Sequence, residues 1–299
     1  MAQPHDQHAS ATADPLDIRF LGPEGLRRFL RQQGIQPSRG WSQNFLVDRE
    51  ALEALLEAAA VAPGRHILEI GPGLGALTGA LLDAGAEVSA IEVDPRLTAL
   101  LRERFGERLR LVEGDVLDRD LGELVAPPWD LVANLPYHIT SPVLHRVLEH
   151  DARPERFVLL LQREVAERIA ARPGELSYLS VFVQYHAQVQ VARIVPASSF
   201  EPAPKVDSAI LVGQTRARRL GPGEEDGLWR LVQAGFRERR KMLHNVLPRQ
   251  LPQVGPVRIQ AALAAVGIRS DRRPQTLSVE EWLALRAALG PLDAGTGAS

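Results

Sequence analysis

The chain has 299 residues, of which 45% are hydrophobic and 24% charged, with a net charge of −2. That length and balance describe an ordinary globular protein with a sizeable core in one or two domains. The complete lack of cysteine excludes disulfides, cysteine-ligated zinc, iron–sulfur clusters and a cysteine nucleophile.

No stretch approaches the roughly 18–20 uncharged apolar residues of a membrane span, and no basic segment followed by an apolar run opens the chain. The expectation is a cytoplasmic protein. A net charge near zero does not advertise a nucleic-acid binder, but it can conceal a basic face. Lysine occurs only at Lys205 and Lys241; the remaining basic residues are arginine.

Residues 1–21 are mostly small and polar and are expected to form a disordered tail. His5 and His8 lie there with no carboxylate cluster to make a metal site, so no metal is expected. GPEGLRRFLRQQG (22–34) reads as a short basic helix stopped by Gly34. DREALEALLEAAAV is an amphipathic helix with Asp48 as its N-cap. Strands and helices then alternate: HILEI (66–70), GALTGALLDAG (75–85), EVSAIEV (87–93), PRLTALLRERF (95–105), LRLVEGD (109–115), DLVANL (130–135), RFVLLLQ (156–162) and the helix EVAERIAAR. This alternation predicts a parallel sheet covered by helices. AQVQVARIV (187–195) has period two, as an antiparallel strand should, and VDSAILVGQT (206–215) is its expected partner. ARRLGPGEEDG (217–227) reads as a linker. LWRLVQAGFRERRKMLHNVL, VRIQAALAAVG and SVEEWLALRAALG read as a small helical domain. The expected division is a catalytic α/β domain at 22–215, a helical domain at 216–290 and a loose tail at 291–299.

ILEIGPGLGALTGALLDAG runs strand, glycine turn, helix. Gly71, Gly73 and Gly75 allow close approach of a ligand to backbone and to a helix N-terminus. The spacing is G-x-G-x-G rather than the dinucleotide G-x-G-x-x-G. Glu92 ends the next strand, where an acid can accept hydrogen bonds from ribose hydroxyls; a nicotinamide dinucleotide and S-adenosylmethionine both carry one. Asp115 ends the third strand and can accept from an adenine amine. The fourth strand ends in VANLPY. In open α/β sheets ligands bind at the carboxyl ends of the strands. Glycine or polar groups at four such ends, Gly71, Glu92, Asp115 and Asn134, point to one site.

These stretches give the chain its resemblance to a known family. SQNFLVD (42–48), LEIGPGLGALT (68–78), AIEVDPRL (90–97), EGDVL (113–117), VANLPYHITSP (132–142), FEPAPKVDSAI (200–210) and FRERRKMLHNVL (236–247) resemble, in order, the ribosomal RNA adenine N6,N6-dimethyltransferases. The resemblance spans 39–290, with one departure: Ser42, after Trp41, stands where the family usually has glycine. It implies a Rossmann-like class I methyltransferase sheet, mostly parallel with an antiparallel strand pair at its end, plus a small all-α C-terminal domain. It implies S-adenosyl-L-methionine as methyl donor, with Asn44, Leu46, Gly71, Glu92, Asp115 and Asn134 around it. Asn44 and Leu46 would close over its methionine end.

An adenine N6 amine is a poor nucleophile because its lone pair is delocalised into the ring. The Asn134 side-chain oxygen and the Pro136 carbonyl can each accept one N6–H, Tyr137 can stack on the base, and Phe200 is the expected second face. His138 is adjacent, but a base is not required if the proton leaves after transfer.

Arg237, Arg240 and Lys241 are expected on one face of a helix as RNA phosphate contacts. Arg239 points elsewhere on that helix. Arg216, Arg218 and Arg219, and Arg27, Arg28 and Arg31, are further basic candidates. The function implied is dimethylation of N6 on two adjacent adenosines near the 3′ end of 16S rRNA within a 30S precursor particle, by a monomer. A 23S rRNA adenine N6-methyltransferase of the resistance type and a non-catalytic assembly factor are the alternatives. A nicotinamide oxidoreductase lacks a visible hydride-transfer site.

Overall fold

The computed structural model describes residues 18–38, 40–41 and 43–292. His5, His8, Ser42 and the two tails proper lie outside the described residues. Ile18–Phe20, within the expected N-terminal tail, forms a 3-10 turn with Ile18 buried.

The elements in chain order are α1 (Gly22–Gln32), β1 (Phe45–Leu46), α2 (Arg49–Ala59), β2 (His66–Ile70), α3 (Ala76–Asp83), β3 (Glu87–Glu92), α4 (Pro95–Phe105), β4 (Leu109–Glu113), α5 (Leu121–Leu124), β5 (Trp129–Asn134), α6 (Thr140–Glu149), β6 (Arg156–Gln162), α7 (Arg163–Ile169), α8 (Tyr178–His186), β7 (Ala187–Val195), β8 (Phe200–Glu201), β9 (Ser208–Thr215), α9 (Pro222–Phe236), α10 (Leu243–Gln250), α11 (Pro256–Ala265) and α12 (Val279–Leu289). The main sheet has seven strands in the order β4–β3–β2–β5–β6–β9–β7. The first five are mutually parallel, and β9 pairs antiparallel with both β6 and β7.

The sheet's two faces are buried separately. One carries Leu68, Leu131, Phe157 and Leu159 against α6, α7 and α8; the other carries Ile67, Val132, Val158 and Ile210 against α2 and α3. This two-sided burial explains the nearly continuous apolar runs of β2, β5 and β6. The expected Asp48 cap forms, accepting the Ala51 N–H, and Asp94 caps α4 by accepting the Arg96 N–H. Gly213 faces Phe157 across the β6–β9 ladder, where a Cβ would lie 1.9 Å from the ring.

Three sequence expectations are corrected. The stretch expected as a linker contains the start of α9 at Pro222. Gly221–Pro222 with Glu224 three residues after the cap is a helix-start pattern, and Glu225 is buried where Tyr185 and Arg218 bond it. Next, the long helix expected through 228–247 is two helices. The N–H groups of Leu243 and His244 bond the carbonyls of Arg272 and Ser270, which turns α10 against the following loop. Arg237, Arg240 and Lys241 therefore stand on the turn between α9 and α10, not on a helix face. Last, Arg218 and Arg219 serve the junction between the sheet and the C-terminal helices. Arg218 bonds the carbonyls of Glu149 and His150 and the carboxylates of Asp151 and Glu225, and Arg219 pairs with Glu280. The C-terminal helices also share a core with α8, through Val181 and Tyr185 against Leu228, Leu231 and Trp282.

Candidate active site

A pocket opens at the carboxyl ends of β2–β5, and every expected cofactor residue lines it: Asn44, Leu46, Gly71, Glu92, Asp115 and Asn134, together with Pro136 and Tyr137. Strand order sets their arrangement. Asp115 follows β4, Glu92 ends β3, the glycine turn follows β2 and Asn134 ends β5, so the four stand in a row across the sheet.

The glycine turn is required by its backbone. Gly71, Gly73 and Gly75 have φ of +68°, +60° and +81°, and a Cβ on Gly73 would sit 3.3 Å from the Phe45 ring. Phe45 belongs to the cover of the pocket. β1 pairs antiparallel with β8, and Phe45 packs with Leu26, Phe29, Leu30 and Ile35 of the N-terminal segment and with Leu74 and Leu97. Gln43, missed in the sequence reading, fixes this cover to the sheet by donating from Nε2 to Asp94 at 2.9 Å. Burial opposes ionisation of Asp94, but the bonds from Arg96 and Gln43 outweigh it and hold its carboxyl below the usual range.

Glu92 is 4% exposed. Its Oε2 accepts the Gly73 N–H at 3.0 Å, and Oε1 accepts the N–H groups of Val93 and Asp94 at 2.9 and 3.0 Å. Burial pushes its pKa up while these three donors work against the rise. The acid thus ties the glycine turn to β3 and keeps lone-pair capacity on Oε2 for a hydroxyl. Asp115 accepts the Leu117 N–H at 2.9 Å through Oδ1, closing the turn after β4.

At the β5 end the Asn134 Nδ2 donates to the Asn44 carbonyl at 3.3 Å. That bond fixes which way the amide faces and leaves Oδ1 as the acceptor. The Pro136 carbonyl already accepts the Ile139 N–H at 3.2 Å, using one of its two lone pairs. Tyr137 bonds Ser208 Oγ at 2.8 Å, and burial raises its phenol pKa with that bond opposing. The ring is therefore anchored, and its hydroxyl is neutral at ordinary pH.

Phe200 does not join this group. It is 2% exposed, is not among the pocket-lining residues, and packs in the core with Val195 and Ile210 while pairing through β8 with Leu46. Ser199 holds it there: its Oγ bonds Asp48 at 2.5 Å and its carbonyl accepts the Val47 N–H. In this structure the second face of a base sandwich is not formed by Phe200.

Glu69 was also missed. It lines the pocket at 1% exposure and accepts a 2.6 Å bond from Thr78. The available signal was an acid inside the apolar HILEI strand. Among the described residues no group of three or more His, Asp and Glu could hold a metal ion, and no helix is long and apolar enough to cross a membrane.

A turn with glycine at positions 71, 73 and 75, two acids at successive strand ends and an oriented amide beside an aromatic ring fit a nucleoside-bearing cofactor whose reactive end reaches β5. The fold and site are those of a class I S-adenosylmethionine-dependent methyltransferase. More particularly, the chain belongs to the ribosomal RNA adenine dimethylase family, whose model matches residues 36–289. Curated relatives include the Ribosomal RNA small subunit methyltransferase A of Geobacter sulfurreducens, 42% identical, covering 87% of this chain and 98% of that protein. The protein of the same name from Anaeromyxobacter sp. is 41% identical, covering 88% and 97%. Solved structures with this fold include a dimethyladenosine transferase from Plasmodium falciparum, with TM-score 0.71 and 27% identity, covering 81% of this chain and 95% of that one. The 23S rRNA methyltransferase ErmE has TM-score 0.67 and 31% identity, covering 82% and 99%.

Proposed function

We propose that this rRNA dimethyltransferase modifies N6 of two adjacent adenosines near the 3′ end of 16S rRNA, in a 30S precursor particle, acting as a cytoplasmic monomer. The observation that carries the chemistry is the oriented Asn134 amide, with Nδ2 committed to the Asn44 carbonyl and Oδ1 left to accept. S-adenosylmethionine supplies a methyl group on an electrophilic sulfonium. In the first transfer Asn134 Oδ1 and the second lone pair of the Pro136 carbonyl each accept one N6–H, drawing the amine towards tetrahedral geometry and freeing its lone pair; in the second, the monomethylated amine has one N6–H left for one of the two acceptors. Tyr137 stacks on the base. Glu92 and Asp115 hold the ribose and adenine of the donor, and Asn44 and Leu46 cover its methionine end. Fixing two reactants in this way supplies up to about 7–11 kcal/mol of the barrier reduction; the sulfur takes the S–CH3 bond pair as the methyl moves to N6, and the proton leaves the methylated amine to solvent afterwards, so no general base is needed.

We take 22–215 as the catalytic unit and 216–290 as the RNA-binding unit. Arg237, Arg240 and Lys241 are exposed on the α9–α10 turn, and among the described residues none is held in an ion pair. They are available to phosphates, and such contacts set affinity rather than sequence. The small-subunit reading is supported by relatives of that name at 41–42% identity, against 31% for ErmE. The test is transfer of tritiated methyl groups to unmethylated 30S particles and to protein-free 23S rRNA in parallel. N6,N6-dimethyladenosine in the 30S particle is expected. Label confined to 23S rRNA would select the other substrate, and no label with tight particle binding would leave a non-catalytic assembly factor.

A further inference from the structure

Glu69 has no part in the mechanism above, yet it is the most deeply buried acid of the pocket. Among the described residues its carboxyl has one hydrogen-bond partner, the Thr78 hydroxyl on the first turn of α3. Among the described residues no cation is paired with it, and the neighbouring charge is a second carboxylate, Glu92. Strand order gives its place along the cofactor. Asp115 and Glu92, at β4 and β3, take the adenine and ribose, and Asn134, at β5, takes the acceptor amine. Glu69 is on β2, between them, so the sulfonium end of the donor falls on its side of the pocket. This inference rests on that placement of the cofactor.

We propose that Glu69 is the charge-sensing residue of the cofactor site: it gives up its proton to solvent when the sulfonium donor binds and is re-protonated when the uncharged thioether product remains, so the pocket selects donor over product. Near neutral pH the donor carries a sulfonium, an ammonium and a carboxylate, for a net charge of +1, whereas S-adenosylhomocysteine has lost the sulfonium charge. A neutral acid suits the empty pocket and the product complex. Burial pushes Glu69 up to about 8, Thr78 opposes the rise and Glu92 adds to it. A cation beside the carboxyl reverses that preference.

The sign follows from linkage. Donor binding that requires loss of a proton is weakest well below the empty-pocket value and tightens as pH rises towards it, by up to about tenfold per pH unit. Product binding moves less. The other titratable groups lining the pocket are Glu92 from β3, Asp115 after β4, and Tyr137 and His138 after β5; Asp94, paired with Arg96, stands two residues beyond Glu92 at the start of α4 and does not line it. Glu92 and Asp115 meet the ribose and adenine that donor and product share, so their contribution cancels in the comparison. His138 does not cancel by that argument and is controlled by substitution.

The experiment is calorimetric binding at pH 7 in phosphate and in Tris, where the difference in apparent enthalpy counts protons released. The ligands are S-adenosylmethionine, S-adenosylhomocysteine and sinefungin, which carries a cationic amine in place of the methyl sulfonium. The expected result is a release several tenths of a proton larger for the two cationic ligands than for the thioether. Glu69→Gln removes the difference, and His138→Gln retains it. Equal proton counts for all three ligands in the unsubstituted protein overturn the proposal, and that arm needs no variant to fold. So does a difference that survives Glu69→Gln. Asp115→Ala tests the placement separately: unchanged affinity for both donor and product would refute the placement rather than the charge argument.

Discussion

Replacing Asn134 by alanine removes the acceptor on which the proposed chemistry depends, and the structure separates its catalytic cost from its structural one. Among the described residues, the structural bond lost is that from Nδ2 to the Asn44 carbonyl, long at 3.3 Å. A bond of that kind is worth about 0.5–1 kcal/mol, equivalent to roughly 2–4 °C of Tm at most for a chain of this size. Glu92, Asp115 and the glycine turn remain, so affinity for S-adenosylmethionine should weaken by less than about tenfold, or 1.4 kcal/mol. The catalytic loss is larger. Removing one preoriented polar group from a site of this kind costs about 10²–10³ in kcat, or 2.7–4 kcal/mol. Asn134→Asp is the sharper comparison. It keeps an acceptor for the amine but sets a carboxylate oxygen against the Asn44 carbonyl, so its activity should fall between alanine and the natural residue while the cover of the pocket loosens. The assay is single-turnover methyl transfer to 30S particles with saturating donor, alongside calorimetric donor binding. A kcat loss below tenfold in Asn134→Ala, with donor affinity retained, would refute the assignment of Asn134 Oδ1 to the target amine.

Tyr137→Phe loses the 2.8 Å bond to Ser208 but keeps the ring; stability should fall by about 1 kcal/mol with kcat nearly unchanged. Tyr137→Ala should cost about 1–3 kcal/mol of stacking, read as a rise in KM for the particle. Alanine at Gly213 would place its Cβ 1.9 Å from Phe157, and urea titration should show a loss above about 4 kcal/mol. His186 is buried beside Arg153, and burial followed by that charge lowers its pKa to about 3. The unfolded chain therefore binds a proton that the folded chain refuses between about pH 6.5 and 3. Stability should fall with acidification across that window, by up to about 1.4 kcal/mol per pH unit, and His186→Gln should remove that part of the slope in urea titrations. Replacing Arg237, Arg240 and Lys241 together by alanine should weaken particle binding and flatten its dependence on salt, with kcat at saturating substrate retained.

The legible part of the fold was the part where local chemistry and final environment agree. Strands β2, β5 and β6 are apolar runs that are in fact buried on both faces, and the helix before β2 begins with Asp48 and the helix after β3 with Asp94–Pro95, whose caps act within a few residues. The helices α6 and α8 were not assigned. YLSVFVQYH in α8 is rich in β-branched and aromatic residues, and it is helical because it is packed between the sheet, Trp229 and the C-terminal core. Propensity yields to such tertiary burial. The turn at 237–242 was hidden for a related reason: it depends on carbonyls of residues 270 and 272, which no local window contains. Glycine and polar residues at strand ends were readable in the site because a parallel sheet gathers all its carboxyl ends on one edge. Phe200 and Glu69 were not, because a motif does not say on which side of a wall a side chain lies. Phe200 is turned into the core by Ser199 and Asp48, and Glu69 is turned into the pocket from a strand that otherwise reads as core.

The strand order also explains why donor and acceptor meet where they do. From β2 the chain winds outwards through β3 to β4, then crosses back to lay β5 against the opposite side of β2. The crevice between β2 and β5 is the point where the direction of winding reverses, and there the helices following the two strands leave on opposite faces and open a cleft. Residues from the first half of the winding, Gly71, Glu92 and Asp115, line one side, the side the proposed function gives to the cofactor. Residues from the second half, Asn134 to Tyr137, line the other, the side it gives to the base. The acceptor amide is tied to the cover through the Asn44 carbonyl, and the cover is tied to the cofactor side through Gln43 and Asp94. Closing the pocket over the donor and orienting Asn134 for the base therefore share one chain of hydrogen bonds. Gln43→Ala, which cuts that chain at a residue lining the cofactor side, should weaken donor binding and slow methyl transfer at saturating donor together. A change in binding alone would show that cover and amide act independently.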